Sequence, residues 1–297
     1  MKIIQSHLSF EFFPPKTIEG TQNLQLAALE LSHYRPHFFS VTYGAGGSTR
    51  MGTLDAIDML KRETLIPVAP HLTCIGTQAE TVDELLIHYK QRGIKRIVAL
   101  RGDLPDAGLG DSDFRYASDL VHYIRQRTGD HFYIEVAAYP EIHPQAGNAA
   151  EDVLNLKRKQ DAGANSAITQ YFYNADAYFY FLDECTKQGV TLPIIPGIMP
   201  IVNYERLAQF SAACGAEIPR YLCKWLESYS EKTLGTHGFA SEVVYHLCQK
   251  LLRGGAPGLH FYTLNKAEAT CEVLAMLGYK PRLQPMPRIA GLASEII

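Results

Sequence analysis

Short apolar runs alternate along this chain with stretches whose apolar residues recur at helical spacing. The runs read as strands over 8–13, 38–42, 67–73, 96–100, 133–138, 166–170, 193–196 and 258–261. The periodic stretches read as helices over 21–33, 49–63, 81–92, 118–128, 149–162, 175–188, 204–213 and 266–277. A longer helical stretch, 230–252, stands before the last strand. Pro14-Pro15 ends the first strand, and Gly163 is placed as a helix stop. Strict alternation of this kind predicts a parallel sheet with helices outside it. Eight units predict closure into an α/β TIM barrel, (β/α)8, with an extra helical insertion before strand eight. An open doubly wound sheet is the alternative. No Ser/Gly-rich linker divides the chain, so 1–297 reads as a single catalytic domain.

Barrels of this class carry their chemistry on the carboxyl ends of the strands. Those ends hold Glu11, then Thr42 and Tyr43, then His71, Thr73 and Cys74. Further round are Arg101, Gly102 and Asp103, then Tyr139, Glu141 and His143, then Gln170, then Gly197, and last Tyr262, Thr263 and Asn265. Polar groups converge on one rim from most of the strands, which a purely structural barrel has no reason to arrange. Glu11 sits inside the run Phe10-Glu11-Phe12-Phe13. Burial there should raise its pKa and suit it to general acid work. The other reading is a Glu paired with a barrel Arg or Lys. Asp103 is either a site carboxylate or a turn residue capping its own backbone. His71 is a base, a ligand or a hydrogen-bonded pocket wall. Asn155, Arg158 and Lys159 share a helix face at i, i+3 and i+4. That face is either solvated or delivers two cations to a pyrophosphate. Tyr116, Ala117 and Phe210 read on their own as packing residues.

Composition narrows the partners. The chain has 297 residues, 46% of them hydrophobic, with 28 basic and 31 acidic side chains and a formal charge of −3. That balance leaves no electrostatic footprint for nucleic acid and no polybasic membrane patch. No run approaches the ~20 apolar residues that span a bilayer, and the first ten residues lack a signal-peptide core. The six cysteines are scattered without a Cys-x-x-Cys pair, as reduced, mostly buried thiols of a cytoplasmic protein would be. His71, His143, His260 and Cys74 lack zinc-site spacing, so no metal is expected. Gly44-Ala-Gly-Gly47 lacks the third glycine of a dinucleotide fingerprint, and there is no Walker sequence. A dinucleotide could still bind a barrel rim through helix N-termini and cations.

Taken together, the segments resemble methylenetetrahydrofolate reductase of the bacterial single-domain type. The likeness runs from Ser9 to about Leu277. Its landmarks are Ser9-Phe-Glu-Phe-Phe-Pro-Pro15, Val41-Thr-Tyr-Gly44, Pro70-His-Leu-Thr-Cys74 and Ala99-Leu-Arg-Gly-Asp-Leu-Pro105. They continue with Ala137-Ala-Tyr-Pro-Glu141, Asn155-Leu-Lys-Arg-Lys159, Asp161-Ala-Gly-Ala-Asn165, Ile168-Thr-Gln170, Pro196-Gly197 and His260-Phe-Tyr-Thr-Leu-Asn265. Each is short, but their joint order is specific.

The resemblance implies an FAD-binding barrel that takes hydride from NADH or NADPH. It implies ping-pong reduction of 5,10-methylenetetrahydrofolate to the 5-methyl form, which supplies methyl groups for methionine synthesis. Glu11, Asp103 and Gln170 would be catalytic and would touch the folate. Thr42, Tyr43, Ala45, His71, Arg101, Gly102, Asp103, Tyr116, Ala117, Tyr139, His143, Ala146, Asp152, Asn155, Arg158 and Lys159 would hold the cofactors. Arg206, Phe210 and Lys266 would contact folate. Arg206 stands where the family pattern has Gln, and Lys266 where it has Arg, which is not an equivalent exchange at a carboxylate. The chain stops soon after the barrel, so inhibition by adenosylmethionine through a regulatory domain is not expected. The resemblance also implies a homo-oligomer, a dimer or tetramer. Another flavin barrel, such as a proline dehydrogenase relative, is the competing identity.

Overall fold

The computed structural model describes residues 7–43, 50–102, 112–230 and 236–282. The strands are β1 (His7–Phe12), β2 (Phe38–Val41), β3 (Val68–Thr73), β4 (Arg96–Leu100), β5 (Tyr133–Ala138) and β6 (Ser166–Thr169). Two short pieces follow, β7 (Ile194–Ile195) and β8 (Gly197–Ile198), and the last strand is β9 (Gly258–Tyr262). Between them lie helices α1 (Ile18–Ser32), α2 (Arg50–Thr64), α3 (Ala79–Gln91), α4 (Ala117–Thr128), α5 (Ala149–Asp161) and α6 (Ala175–Lys187). Helices α7 (Tyr204–Cys214), α8 (Arg220–Ser230) and α9 (Thr236–Arg253) precede β9, and α10 (Glu268–Met276) follows it. Among the described residues no helix is long and apolar enough to cross a membrane.

All pairings are parallel, and the order β7-β6-β5-β4-β3-β2-β1-β9-β8 closes on itself. Only Pro196 separates β7, which pairs with β6, from β8, which pairs with β9. The seventh stave of an eight-stave barrel is therefore one strand broken at a proline. Proline has no N–H for the ladder. Its carbonyl still accepts from the His260 N–H at 3.0 Å. The next amide, Gly197, turns to the Thr169 hydroxyl at 2.9 Å. A side chain at Gly197 would collide with the Thr169 carbonyl, so glycine is required there.

Side chains alternate across each strand. Leu8, Phe10 and Phe12 of β1 join the core between sheet and helices, as do Phe39, Val41, Ile97, Ala99, Ile134, Val136, Leu259 and Phe261. The intervening residues face the barrel axis. Phe38, Ala69, Val98 and Ile168 form a separate small apolar layer there, with Leu100 against it. The amino end of the barrel is plugged by an Arg96–Glu135 ion pair with Ser166 on the same carboxylate. The Arg96 guanidinium also lies over Tyr133 and Phe38, 4.0 and 4.7 Å from the ring centres.

Helix starts follow side-chain capping. Thr17, Asn148, Asn174 and Asn203 accept from the backbone of α1, α5, α6 and α7. The predicted 230–252 helix corresponds to α9, described over Thr236–Arg253, and α8 precedes it unannounced. Pro219 starts α8, its carbonyl taking the amides of Leu222 and Cys223. Leu222 and Leu226 are buried beneath α8, and Trp225 stacks on Phe239 of α9 with ring centres 4.9 Å apart.

Candidate functional site

The axis-facing pattern of β1 places Ser9 and Glu11 inside the barrel, while their apolar neighbours hold the strand to the helices. Glu11 Oε2 lies 3.3 Å from His71 Nε2 of β3 and 3.6 Å from His260 Nε2 of β9. Neither contact has the geometry of a full hydrogen bond, and that of His260 is the longer. Burial pushes the Glu11 pKa up, but the His71 and His260 rings outweigh it and hold the carboxyl down at about 2. The predicted rise is thus corrected. An apolar neighbourhood along the sequence said nothing of two imidazoles arriving from other strands.

Further polar atoms are sealed around Glu11. Ser40 Oγ, Thr42 Oγ1, His71 Nε2 and His260 Nε2 are buried and have no hydrogen-bond partner among the described residues. Ser40 is the register partner of Glu11 on β2. Orphaned polar atoms in a native interior point to a missing partner. Ser9, Ser40 and His260 had no role in the sequence reading beyond the discarded zinc set. The available signal was spacing: Ser9 and Glu11 are two apart on one strand and must share a face.

The second part of the rim is built where β4, β5 and α5 meet. Arg101 reaches from the end of β4 to the Gln145 side chain. Tyr139 meets His143 edge to face at 4.5 Å. The His143 amide donates to Asp152 at 2.8 Å, and the Ala146 amide donates to the His143 carbonyl at 2.8 Å. Arg158 donates to Asn155 at 2.6 Å. Lys159 does not share their solvated face. Its Nζ runs beneath the rim and donates to the Ala137 carbonyl at 2.6 Å. Burial pulls its pKa down to about 8, Asp152 partly restores it, and Arg101 lowers it further. Arg101, Tyr139, His143, Ala146, Asp152 and Lys159 therefore form one corner, while Asn155 and Arg158 bond to each other on the outer face of α5. Gly102, two residues past β4, has φ of 89°, and a Cβ there would press against the Thr73 side chain.

Other predicted residues stand apart from that corner. Tyr116 and Ala117 open α4, with Tyr116 50% exposed. Phe210 on α7 is 45% exposed, and Arg206, one turn earlier, is exposed too. Exposure removes the packing reading for Tyr116 and Phe210. Gln170 directly follows β6, shares a hollow with Tyr139, Glu141 and Cys214, and its Oε1 accepts from the Tyr171 amide at 3.0 Å. Burial raises the Glu141 pKa. Lys266 lines a second hollow with Val202, Tyr262, Glu268 and Glu272. Tyr43 lies at the end of the described stretch 7–43, while Ala45 and Asp103 lie outside the described residues. Thr263 and Asn265 prove to be scaffold: the Thr263 hydroxyl donates to the Glu11 carbonyl at 2.6 Å. No cluster of three or more metal-ligating side chains occurs among the described residues.

The family model for methylenetetrahydrofolate reductase matches residues 2–278. The 5,10-methylenetetrahydrofolate reductase of Buchnera aphidicola from Schizaphis graminum is 41% identical over 270 residues, 91% of this chain and 91% of that protein. The Escherichia coli enzyme of the same name is 40% identical over 279 residues, 94% of this chain and 93% of that one. Among solved structures, a Clostridium thermocellum protein described as binding two copies of 5-methyl-5,6,7,8-tetrahydrofolic acid superposes with a TM-score of 0.68. It is 19% identical and covers 91% of this chain and 93% of its own, a likeness of fold.

Proposed function

The chain belongs to the methylenetetrahydrofolate reductase family, and from that premise we propose that it reduces 5,10-methylenetetrahydrofolate on a bound FAD, with NADH or NADPH as donor. The two substrates would take turns at one site, and the 5-methyl product would serve methionine synthesis. The observation that carries the reading is Glu11, a carboxyl inside the barrel mouth beside two imidazoles and several orphaned polar atoms.

The residues present fit a flavin dinucleotide. Arg101 and Lys159 stand close enough to act on one another, and Arg158 extends from the same last turn of α5 as Lys159. These would hold the pyrophosphate, with Tyr139, His143, Ala146, Asp152 and Asn155 shaping the cradle. His71, Thr42 and Tyr43 stand nearer the barrel axis, where His71 Nε2 and Thr42 Oγ1 have polar needs unmet. When bound, the flavin supplies the hydride.

The chain's own groups would do the rest. The methylene carbon bridges two nitrogens, so it accepts hydride only after one C–N bond opens. The departing nitrogen then needs a proton, and Glu11 Oε2 would deliver it. Asp103 would stabilise the cation that develops on ring opening. The Gln170 amide both donates and accepts, so it suits two ligands in turn. Phe210, exposed on α7, would cover whichever ligand is bound, and Arg206 and Lys266 would face the folate's carboxylates.

The test is anaerobic and spectral. The purified protein should be yellow, bleach with NADH or NADPH, and regain its colour on addition of methylenetetrahydrofolate. A colourless protein, or a reduced flavin indifferent to the folate, sinks the proposal. Bleaching by proline would favour the competing flavin barrel.

A further inference from the structure

Helix α7 carries Arg206 and Phe210, and its seat on the barrel is narrow. Its buried residues are Leu207 and Ser211, four apart on one stripe. Arg206 and Phe210 each stand one position earlier, ~100° round a helix of 3.6 residues per turn, and both are exposed. Where those two side chains point therefore follows from how α7 is rotated about its axis. Leu207 makes apolar contact, which has no direction. Ser211 makes a hydrogen bond, which has one. Its hydroxyl lies 2.9 Å from the Tyr171 hydroxyl, and both residues are buried. The Cys214 thiol, one turn further on, donates to the same phenol oxygen at 3.5 Å. A second tie runs from the Glu217 amide to the Glu141 carboxylate at 2.8 Å. It lies beyond the left-handed Gly215 and holds the end of α7 rather than its roll.

Tyr171 is itself held. It directly follows Gln170, and its amide donates to Gln170 Oε1 at 3.0 Å. Tyr173 and Tyr262 set their rings edge-on to it, with centres 6.0 and 6.4 Å away. Both neighbours are pinned in turn. The Tyr173 hydroxyl donates to the Met199 carbonyl at 3.1 Å, and the Tyr262 hydroxyl to the Thr169 carbonyl at 2.7 Å. Burial raises the Tyr171 pKa, so the phenol keeps its proton at neutral pH. One residue thus meets the Gln170 amide at its backbone and, at its hydroxyl, the helix that bears Phe210.

Resting on the ligand contacts proposed for Gln170 and Phe210, we propose that Tyr171 is a positioning residue: through Ser211 its hydroxyl sets the roll of α7, and so the gap between Phe210 and Gln170 in which either ligand is held. The strut serves nicotinamide and folate alike, because it acts on the cover and not on the reacting atoms. Its loss should therefore appear in affinity and not in the rate of hydride transfer.

The experiment uses the flavin holoenzyme with Tyr171→Phe, Ser211→Ala and the two combined. Stopped flow at varied ligand concentration gives an apparent dissociation constant and a limiting rate for each half-reaction, bleaching by nicotinamide and reoxidation by methylenetetrahydrofolate. In either single variant both dissociation constants should rise about fivefold, the scale of one neutral hydrogen bond, with limiting rates near wild type. The double variant should be no worse than the singles, because each removes the same bond. In a Phe210→Ala background Tyr171→Phe should add nothing, since the side chain it acts through is gone. Backbone hydrogen exchange of the holoenzyme without substrate reads the strut apart from turnover. The α7 amides should exchange faster in Tyr171→Phe, and those of α6 as in wild type. A purely structural Tyr171 would lower the melting temperature and leave both dissociation constants alone, which overturns the proposal. A loss confined to one ligand, an additive double variant, a loss that persists without Phe210 or an unchanged α7 exchange overturns it too. Should Tyr171→Phe not fold, Ser211→Ala gives the same readings from the helix side. Failure of the parent reading looks different: wild-type reduced flavin would ignore methylenetetrahydrofolate, while the exchange result would stand.

Discussion

Asn265 grips the backbone of Phe13 at both ends of its amide: Oδ1 accepts from the Phe13 N–H at 3.0 Å, and Nδ2 donates to its carbonyl at 2.8 Å. The clamp ties the exit of β1, two residues past Glu11, to the turn after β9. Leu264 and Asn265 both hold left-handed backbone, with φ of 52° and 57°. Asn tolerates that region and Leu does so at a cost, so the turn is held by its bonds. Asn265→Asp keeps the shape but turns a donor into an acceptor facing the Phe13 carbonyl. It should cost ~1–3 kcal/mol in urea unfolding, the scale of an unsatisfied buried group. It should also slow folate-driven reoxidation more than flavin reduction. Unchanged stability would show that the clamp is incidental.

The plug at the other end of the barrel predicts stability without chemistry. Glu135→Ala strips the Arg96 guanidinium of its carboxylate and should cost ~3–5 kcal/mol, as breaking a buried pair does. The double variant Arg96→Met, Glu135→Leu should recover most of that loss, because apolar replacement of a buried pair is often neutral. Both half-reactions should survive in the double variant. A double variant as unstable as the single one would mean that the pair itself is needed.

Much of this was legible in the chain. Eight apolar runs with helical stretches between them fall within a residue or two of the observed strands, because inward and outward faces alternate so regularly. What escaped was set by contacts distant in sequence. Pro196 divides one stave because the neighbours' hydrogen bonds pass round it, which the run of isoleucines does not reveal. Helix α8 is short, and its apolar positions Leu222 and Leu226 gain meaning only against α9. The Glu11 titration ran opposite to expectation because the local run is apolar while the cross-barrel neighbours are imidazoles. Lys159 looked like the partner of Arg158 on an outer face, yet its long stem carries the ammonium inward to Ala137.

That inward ammonium predicts a pH dependence with two opposite signs. The Lys159 pKa sits near 8 in the free protein, against its usual 10.5. Between those values the unfolded chain binds the extra proton, so stability should rise with pH across that window. A bound anion would favour the charged form, so above about 8 flavin binding must take up a proton. Flavin affinity should then weaken as pH climbs past that point, and stay level below it. Fluorescence titration of the stripped protein at neutral and alkaline pH reads this directly. In Lys159→Met the apo protein should gain stability at neutral pH and lose most of its affinity for flavin. An affinity independent of pH would remove Lys159 from the cofactor corner.

Glu11 separates the two half-reactions. Hydride transfer from nicotinamide to flavin asks for no proton from an acid at the folate's position, whereas opening the folate ring does. Glu11→Gln keeps the shape of the side chain and a hydrogen-bond donor but cannot release a proton. Positioned acid catalysis is worth ~10²–10⁴-fold, so reoxidation by methylenetetrahydrofolate should fall by at least ~10²-fold. Bleaching by NADH or NADPH should stay near the wild-type rate. A Glu11 that serves only as a structural counter-charge predicts something else: a lower melting temperature and equal losses in both half-reactions. Stopped-flow traces read beside a melting curve distinguish the two. Brisk folate-driven reoxidation in the variant would mean that the proton comes from elsewhere, and the acid assignment would fall with it.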